Sequence, residues 1–176
     1  MLLRKINAGL SLLATVLILN HAISLSAWML SKGAIPKSAD FIPWVLAGVV
    51  LAHAFISIDL AISAHTSNKN RKGKKYAKMN RATIIQRISG VLMMLFIALH
   101  IAGATGYMHL PKVVYAIVPA LFYTIVLAHV AVSTSKAFIT LGIGNIKFVK
   151  VVDIVIKVIC AATLIAALTS SYLYRL

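Results

Sequence analysis

The chain has 176 residues, of which 61% are hydrophobic and 12% charged, with a net charge of +15 and a mean hydropathy of +0.94. This composition excludes an ordinary soluble domain, in which about 25% of residues are charged, and indicates an integral membrane protein. The positive charge does not indicate nucleic-acid binding, because no soluble fold remains to present it. The single cysteine excludes an intrachain disulfide.

Five apolar stretches follow one another along the chain, each near or above the ~20 residues needed to cross a bilayer. They predict five transmembrane helices at about 6–30, 41–65, 83–106, 113–135 and 151–173. Turn residues separate the helices, for example Gly33 and the pair Gly142 and Gly144. Residues 1–176 are therefore predicted to form a single all-α membrane domain, a five-helix transmembrane bundle.

Basic residues are concentrated on one side of this predicted topology. The N-terminus, the 66–82 loop and the connection between the fourth and fifth helices hold most of them. The positive-inside rule then predicts a cytoplasmic-membrane protein with its N-terminus in the cytoplasm and its C-terminus outside. The basic segments would face anionic membrane lipid, and the 66–82 loop is also a candidate surface for a cytoplasmic partner.

Each of the first four apolar stretches contains one histidine deep inside it. An ionisable side chain in hydrocarbon is costly and indicates a functional site. His21 and His100 lie roughly 20–24 Å above the predicted cytoplasmic boundary, at ~1.5 Å per residue. His129 lies roughly 10 Å above it, and His53 shares that inner half. We call His53 and His129 the inner pair, and His21 and His100 the outer pair.

Ligand chemistry suggests what each pair binds. Two facing imidazoles with no carboxylate or cysteine beside them suit six-coordinate haem iron better than zinc, which requires four ligands. Each pair is therefore predicted to bind the iron of one haem b between two helices of the bundle. The alternative to haem ligation is that a buried histidine only forms a hydrogen bond to nearby backbone or serine. This alternative suits a single histidine better than four histidines at two matched depths.

Several motifs carry a resemblance to a known family, and they occur in a fixed order. They are Asn20-His21, Ala52-His53-Ala54, the run Gln86 to Gly90 (QRISG) ten residues before His100, and Lys136 after His129. In this order the chain resembles the cytochrome b subunit of succinate dehydrogenases and fumarate reductases, in particular the five-helix, single-subunit, di-haem type. The resemblance covers all five helices. It implies two haems b stacked across the bilayer, with the same histidine pairs as axial ligands.

The resemblance also implies partners. It would make the chain the anchor and electron-transfer subunit of a succinate:quinone oxidoreductase, with a flavoprotein subunit and an iron–sulfur subunit on the cytoplasmic face. Its electron partner in the membrane would be a quinone, and many relatives of the di-haem type use menaquinone. The sequence leaves open the direction of electron flow and whether the complex forms a higher oligomer.

Further candidate residues surround the inner pair. Arg87 and Lys136 lie near the cytoplasmic boundary, where they suit haem propionates or reach the lipid headgroups. Gly90, about 15 Å inward of His100, would let a porphyrin edge approach its helix, with helix packing as the alternative. Ser89 is a candidate for binding a propionate or a quinone.

A quinone site also needs a proton partner. Asp40 is the first candidate, although it also suits a helix N-cap, and His109 is the second. Some members of the family have a glutamate two residues before the fourth-helix histidine, associated with transmembrane proton transfer. Leu127 stands there in this chain, which has no glutamate. We predict that this proton pathway is absent or built from other groups.

Two other functions remain open from the sequence. One is a di-haem b-type anchor of a hydrogenase or a formate dehydrogenase, which would use the same histidine chemistry with a different catalytic partner. The other is a helical anchor or small transporter without a cofactor. The helices lack the paired Gly/Pro interruptions of broken-helix transporters, which argues against the transporter.

Overall fold

The computed structural model describes residues 1–34, 41–69, 81–104 and 112–173, which include five helices. The helices are α1 (Leu2–Leu30), α2 (Ile42–Lys69), α3 (Arg81–Ala104), α4 (Lys112–Leu141) and α5 (Ile146–Leu173). Each contains a stretch that is long and apolar enough to cross a membrane. The predicted all-α architecture with five candidate membrane spans is confirmed.

The largest differences from the predicted helix bounds are at the end of α4 and the start of α5, because a helix does not stop where apolar residues stop. The fourth helix was expected to end near residue 135 and the fifth to begin near 151, but lysine is a good helix former. Helix α4 therefore continues past Lys136 to Leu141 and is followed by Gly142, whose φ of +75° suits glycine. There the Ile143 amide donates to the Phe138 carbonyl at 3.1 Å, as in a Schellman motif.

Helices α1 and α4 form the centre of the bundle. Helix α1 packs against α2, α4 and α5, and α4 packs against α1, α3 and α5. Small residues let membrane helices approach closely. Most of the buried side chains are indeed small, including Ala8, Ser11, Ala14, Thr15, Ser133, Thr134, Thr163, Ala167 and Ser170. A small apolar cluster of Leu127, Val130 and Cys160 joins α4 to α5, with Ile18 and Leu19 of α1 packed against it.

Helices α2 and α3 lie at the periphery. Over the described residues, α2 packs extensively only against α1, and α3 only against α4. In the most apolar stretch of α2 only 6% of residues are buried, against 33% in α4. The helices that carry each histidine pair, α2 with α4 and α1 with α3, are therefore not packed extensively against one another. Such an arrangement leaves room for a group between the members of a pair.

Candidate cofactor sites

The two histidines of the inner pair line one cavity. His53 of α2 is half-buried and His129 of α4 is only 9% exposed. The cavity is partly open, and Ser11 of α1 and Met93 of α3 also lie in its wall.

A hydrogen bond to Ser89 fixes the tautomer of His129. The Ser89 Oγ lies 3.0 Å from Nδ1 of His129 and 2.7 Å from the carbonyl oxygen of Ile85. A serine hydroxyl has one hydrogen, which it donates to that carbonyl, so its oxygen accepts the hydrogen bond from Nδ1–H of His129. In a neutral imidazole, Nε2 of His129 is then unprotonated and available to bind a metal.

His53 has the same tautomer for a simpler reason. Its Nδ1 lies 3.2 Å from the backbone carbonyl oxygen of Asn7 on α1. A carbonyl oxygen only accepts hydrogen bonds, so Nδ1 of His53 carries the proton and Nε2 does not. In metal sites such a bond on the second ring nitrogen orients the imidazole and increases its basicity. Both inner histidines therefore have the bonding pattern of metal ligands.

Gly90 lies directly against the ring of His129. A Cβ atom added to Gly90 would stand 3.3 Å from Cε1 of His129, closer than ordinary contact, so the ring would have to shift. The absence of a side chain thus lets the imidazole pack onto the α3 backbone beside Ser89. The predicted approach of a porphyrin edge to Gly90 stays a prediction.

Lys136 and Arg87 form a positively charged group beside the inner pair. The ammonium of Lys136 donates to Oε1 of Gln86 at 2.8 Å and to Oγ1 of Thr83 at 3.2 Å. Lys136 is therefore held against α3, while Arg87 is exposed and interacts with it electrostatically. Neither cation forms an ion pair with a carboxylate among the described residues. An anionic group from outside the chain would be favoured here.

The outer pair is arranged differently. His21 of α1 is half-buried, and its Nδ1 is buried without a hydrogen-bond partner among the described residues. His100 of α3 stacks on Phe122 of α4, with ring centroids 5.0 Å apart and an angle of 26° between the planes. A buried polar atom without a partner costs about 1–3 kcal/mol, so this site is incomplete as it stands.

The two pairs lie at different levels of the bundle. His21 is fourteen residues beyond Asn7, the contact of His53, and His100 is eleven residues beyond Ser89, the contact of His129. At ~1.5 Å per residue the levels are about 16–21 Å apart. The structure brings His53 and His129 to one cavity, and the pairing of His21 with His100 stays a prediction. Asp40 and His109, the candidate proton partners of a quinone, lie outside the described residues.

These residues fit the haem b groups predicted from the sequence. Over the described helices no three or more His, Cys, Asp or Glu side chains cluster, so each histidine pair is an isolated two-donor set. Two imidazoles suit the two axial positions of haem iron, whereas zinc sites use three or four protein ligands. The unprotonated Nε2 atoms of the inner pair and the unpartnered Nδ1 of His21 are consistent with such ligation.

Sequence reasoning missed several contacts of these sites. It did not single out Asn7, Thr83 or Phe122, and it gave Gln86 no role of its own. One signal was available, because Ser57 follows His53 by four residues and so shares its helical face.

Comparison of this chain with family models, curated proteins and solved structures found no match. The functional proposal therefore rests on the histidine pairs and their surroundings.

Proposed function

We propose that this chain is the membrane anchor and electron-transfer subunit of a succinate:quinone oxidoreductase, with one haem b at the inner pair and one at the outer pair. Bound haem supplies a one-electron carrier, and two carriers at different depths would connect the two sides of the membrane. One observation supports this most strongly. The Nδ1 atoms of both inner histidines lie at hydrogen-bond distance from fixed groups, the Asn7 carbonyl and the Ser89 hydroxyl, and both side chains line a common cavity.

The surrounding residues have distinct roles in this proposal. Ser89 and the Asn7 carbonyl orient the rings of His129 and His53 and keep both in the ligating tautomer. Gly90 leaves space for the His129 ring to lie against α3. Lys136 and Arg87 would bind the propionate carboxylates of the inner haem, because a fixed cation suits a carboxylate.

The partners follow from the resemblance and the predicted topology. A flavoprotein subunit and an iron–sulfur subunit would dock on the cytoplasmic face, and a quinone, menaquinone in many relatives, would react at the opposite side with Asp40 or His109 as proton partner. Leu127 is only 5% exposed and packs with Val130 and Cys160. These apolar surroundings support the prediction that the transmembrane proton pathway of some family members is absent here or built from other groups.

A haem assay tests the proposal. The complex is purified from membranes of the native host, and haem b per chain is measured as the pyridine haemochromogen together with a dithionite-reduced minus oxidised spectrum. We expect two haems b per chain. One haem would restrict the proposal to a single pair, and a colourless protein would contradict it and favour an anchor without a cofactor.

The subunits that copurify with the chain test which respiratory enzyme it serves. We expect a subunit with bound flavin and an iron–sulfur subunit, and a preparation that couples succinate oxidation or fumarate reduction to a quinone. A nickel or molybdenum protein in their place would identify the chain as the anchor of a hydrogenase or a formate dehydrogenase. That result would contradict the succinate assignment and leave the haem assignment intact.

A further inference from the structure

Asn7 of α1 contacts α2 at two successive turns. Its side-chain Nδ2 donates to Oγ of Ser57 at 3.0 Å, and the same hydroxyl lies 3.3 Å from Oδ1 of Asn7. Its backbone carbonyl accepts the hydrogen bond from Nδ1–H of His53 at 3.2 Å. Ser57 is one helical turn beyond His53 on the same face of α2. A single residue of α1 therefore bonds both to the inner histidine and to the turn beside it.

This double contact matters because α2 depends on a single neighbour. Over the described residues the helix packs extensively only against α1, and few residues of its apolar stretch are buried. A small rotation or slide of α2 would remove Nδ1 of His53 from the Asn7 carbonyl. The amide–hydroxyl bond between Asn7 and Ser57 opposes such movement, since breaking it would leave polar groups without partners in an apolar setting.

We infer that the bond between the Asn7 and Ser57 side chains is a positioning device for the inner site. It holds α2 so that His53 donates from Nδ1 to the Asn7 carbonyl and presents an unprotonated Nε2 to the cavity. Asn7 and Ser57 act through His53 and touch no cofactor themselves. The positioning is a property of the haem-free chain, and only its effect on a bound haem rests on the proposed function.

The effect on haem follows from the chemistry of imidazole. A hydrogen bond from Nδ1–H increases electron donation from Nε2 and stabilises the ferric state of a bound iron. Loss of the Asn7–Ser57 bond would lengthen the bond from His53 to the Asn7 carbonyl. The midpoint potential of the inner haem would then rise, and its affinity would fall by about tenfold or more.

The first test uses the haem-free protein. Histidine labelled with ¹⁵N in the ring reports the tautomer, and comparison with His53→Ala assigns the signal. We expect His53 to be protonated at Nδ1 in the wild type and to become a mixture of tautomers in Asn7→Ala and Ser57→Ala. Ser63→Ala removes an exposed hydroxyl from the same helix and should leave the signal unchanged. An unchanged tautomer in both Asn7→Ala and Ser57→Ala would overturn the inference.

The second test uses the loaded protein and a double-mutant cycle. Midpoint potentials and haem affinities are measured for the two single variants, the double variant and Ser57→Thr, which keeps the hydroxyl. We expect the double variant to have the same midpoint potential and haem affinity as each single variant, because each single substitution already removes the same bond. Ser57→Thr should remain close to wild type in both quantities. Independent, additive effects would contradict a single positioning device.

The two tests separate this inference from the proposed function. If the wild-type chain binds no haem, the proposed function fails, while the tautomer measurement still decides whether Asn7 and Ser57 position His53. If haem binds but Asn7→Ala and Ser57→Ala change neither the tautomer of His53 nor the midpoint potential of the inner haem, the inference fails and the proposed function stands. Should Asn7→Ala not accumulate in the membrane, Ser57→Ala decides both readouts, since it leaves the α1 sequence unchanged.

Discussion

The inner and outer histidine pairs differ in how much of each site the protein completes by itself. In the inner pair both Nδ1 atoms are hydrogen bonded, and Gly90 leaves space for the His129 ring. In the outer pair Nδ1 of His21 has no partner among the described residues, and His100 lies against Phe122. A buried imidazole whose second nitrogen is held by a hydrogen bond is oriented to bind a metal. A buried imidazole nitrogen without a partner instead destabilises the folded protein until a ligand binds to it.

The difference follows from where polar side chains cross between helices. Around the inner pair, Asn7 bonds to α2, and Lys136 bonds to Gln86 and Thr83 of α3, so both helix pairs are fixed at that level. Around the outer pair, the contact of His100 is an aromatic stack. We therefore expect the inner site to be preorganised and the outer site to be completed by what binds there.

The largest expected effect comes from removing one histidine of each pair. His53→Ala should remove the inner haem and His100→Ala the outer haem, each leaving one haem b per chain by the haemochromogen assay. The levels are about 16–21 Å apart, so each site should survive loss of the other. Loss of both haems from either variant would show that the two pairs do not form separate sites.

A smaller effect is expected from Ser89→Ala, which removes the acceptor of the His129 Nδ1–H. Loss of such a partner usually lowers metal affinity by about 10–100-fold, so titration of haem-free protein should show a weakened inner site and an unchanged outer site. Ser170→Ala is the matched control, because Ser170 is buried in α5 and donates only to the Ala167 carbonyl. Equal affinities in the two variants would contradict the role of Ser89.

Gly90→Ala should weaken the inner site by several-fold. The new Cβ would stand 3.3 Å from Cε1 of His129, and the ring would have to move by a few tenths of an ångström. Gly103→Ala lies on the same helix with no atom within 4 Å of the added Cβ, and it should leave haem binding unchanged. Visible spectra recorded during haem titration give the haem affinity of both variants. Identical titration curves would show that the contact between Gly90 and His129 is unimportant for haem binding.

The smallest effect is expected at the outer pair from Phe122→Leu. Aromatic pairs contribute about 0.5–1.5 kcal/mol beyond burial, so haem affinity of the outer site should fall by about two- to tenfold while the inner site is unaffected. Phe148→Leu, at the start of α5, is the control for a lost phenyl ring. Weakening of the inner site by Phe122→Leu would contradict the separation of the two levels.

Local sequence information predicted the number of helices and the levels of the histidines. Hydropathy marks each span, and a constant rise per residue places His21, His53, His100 and His129 along it. It also placed Gly90 at the level of His129. The contacts of Asn7 with His53 and of Phe122 with His100 depend on how neighbouring helices are rotated, which no single apolar stretch specifies. Helix ends also escaped prediction, because charged residues such as Lys136 extend a helix until a glycine ends it.

Titration of the haem-free chain with haem, in wild type and in His53→Ala, tests the central claim most directly. The account predicts two equivalents in the wild type, with the tighter one at the preorganised inner pair, since preorganisation lowers the cost of binding. His53→Ala should lose that tighter equivalent and keep the weaker one. Absence of stoichiometric binding, or a tight equivalent that survives in His53→Ala, would contradict the account.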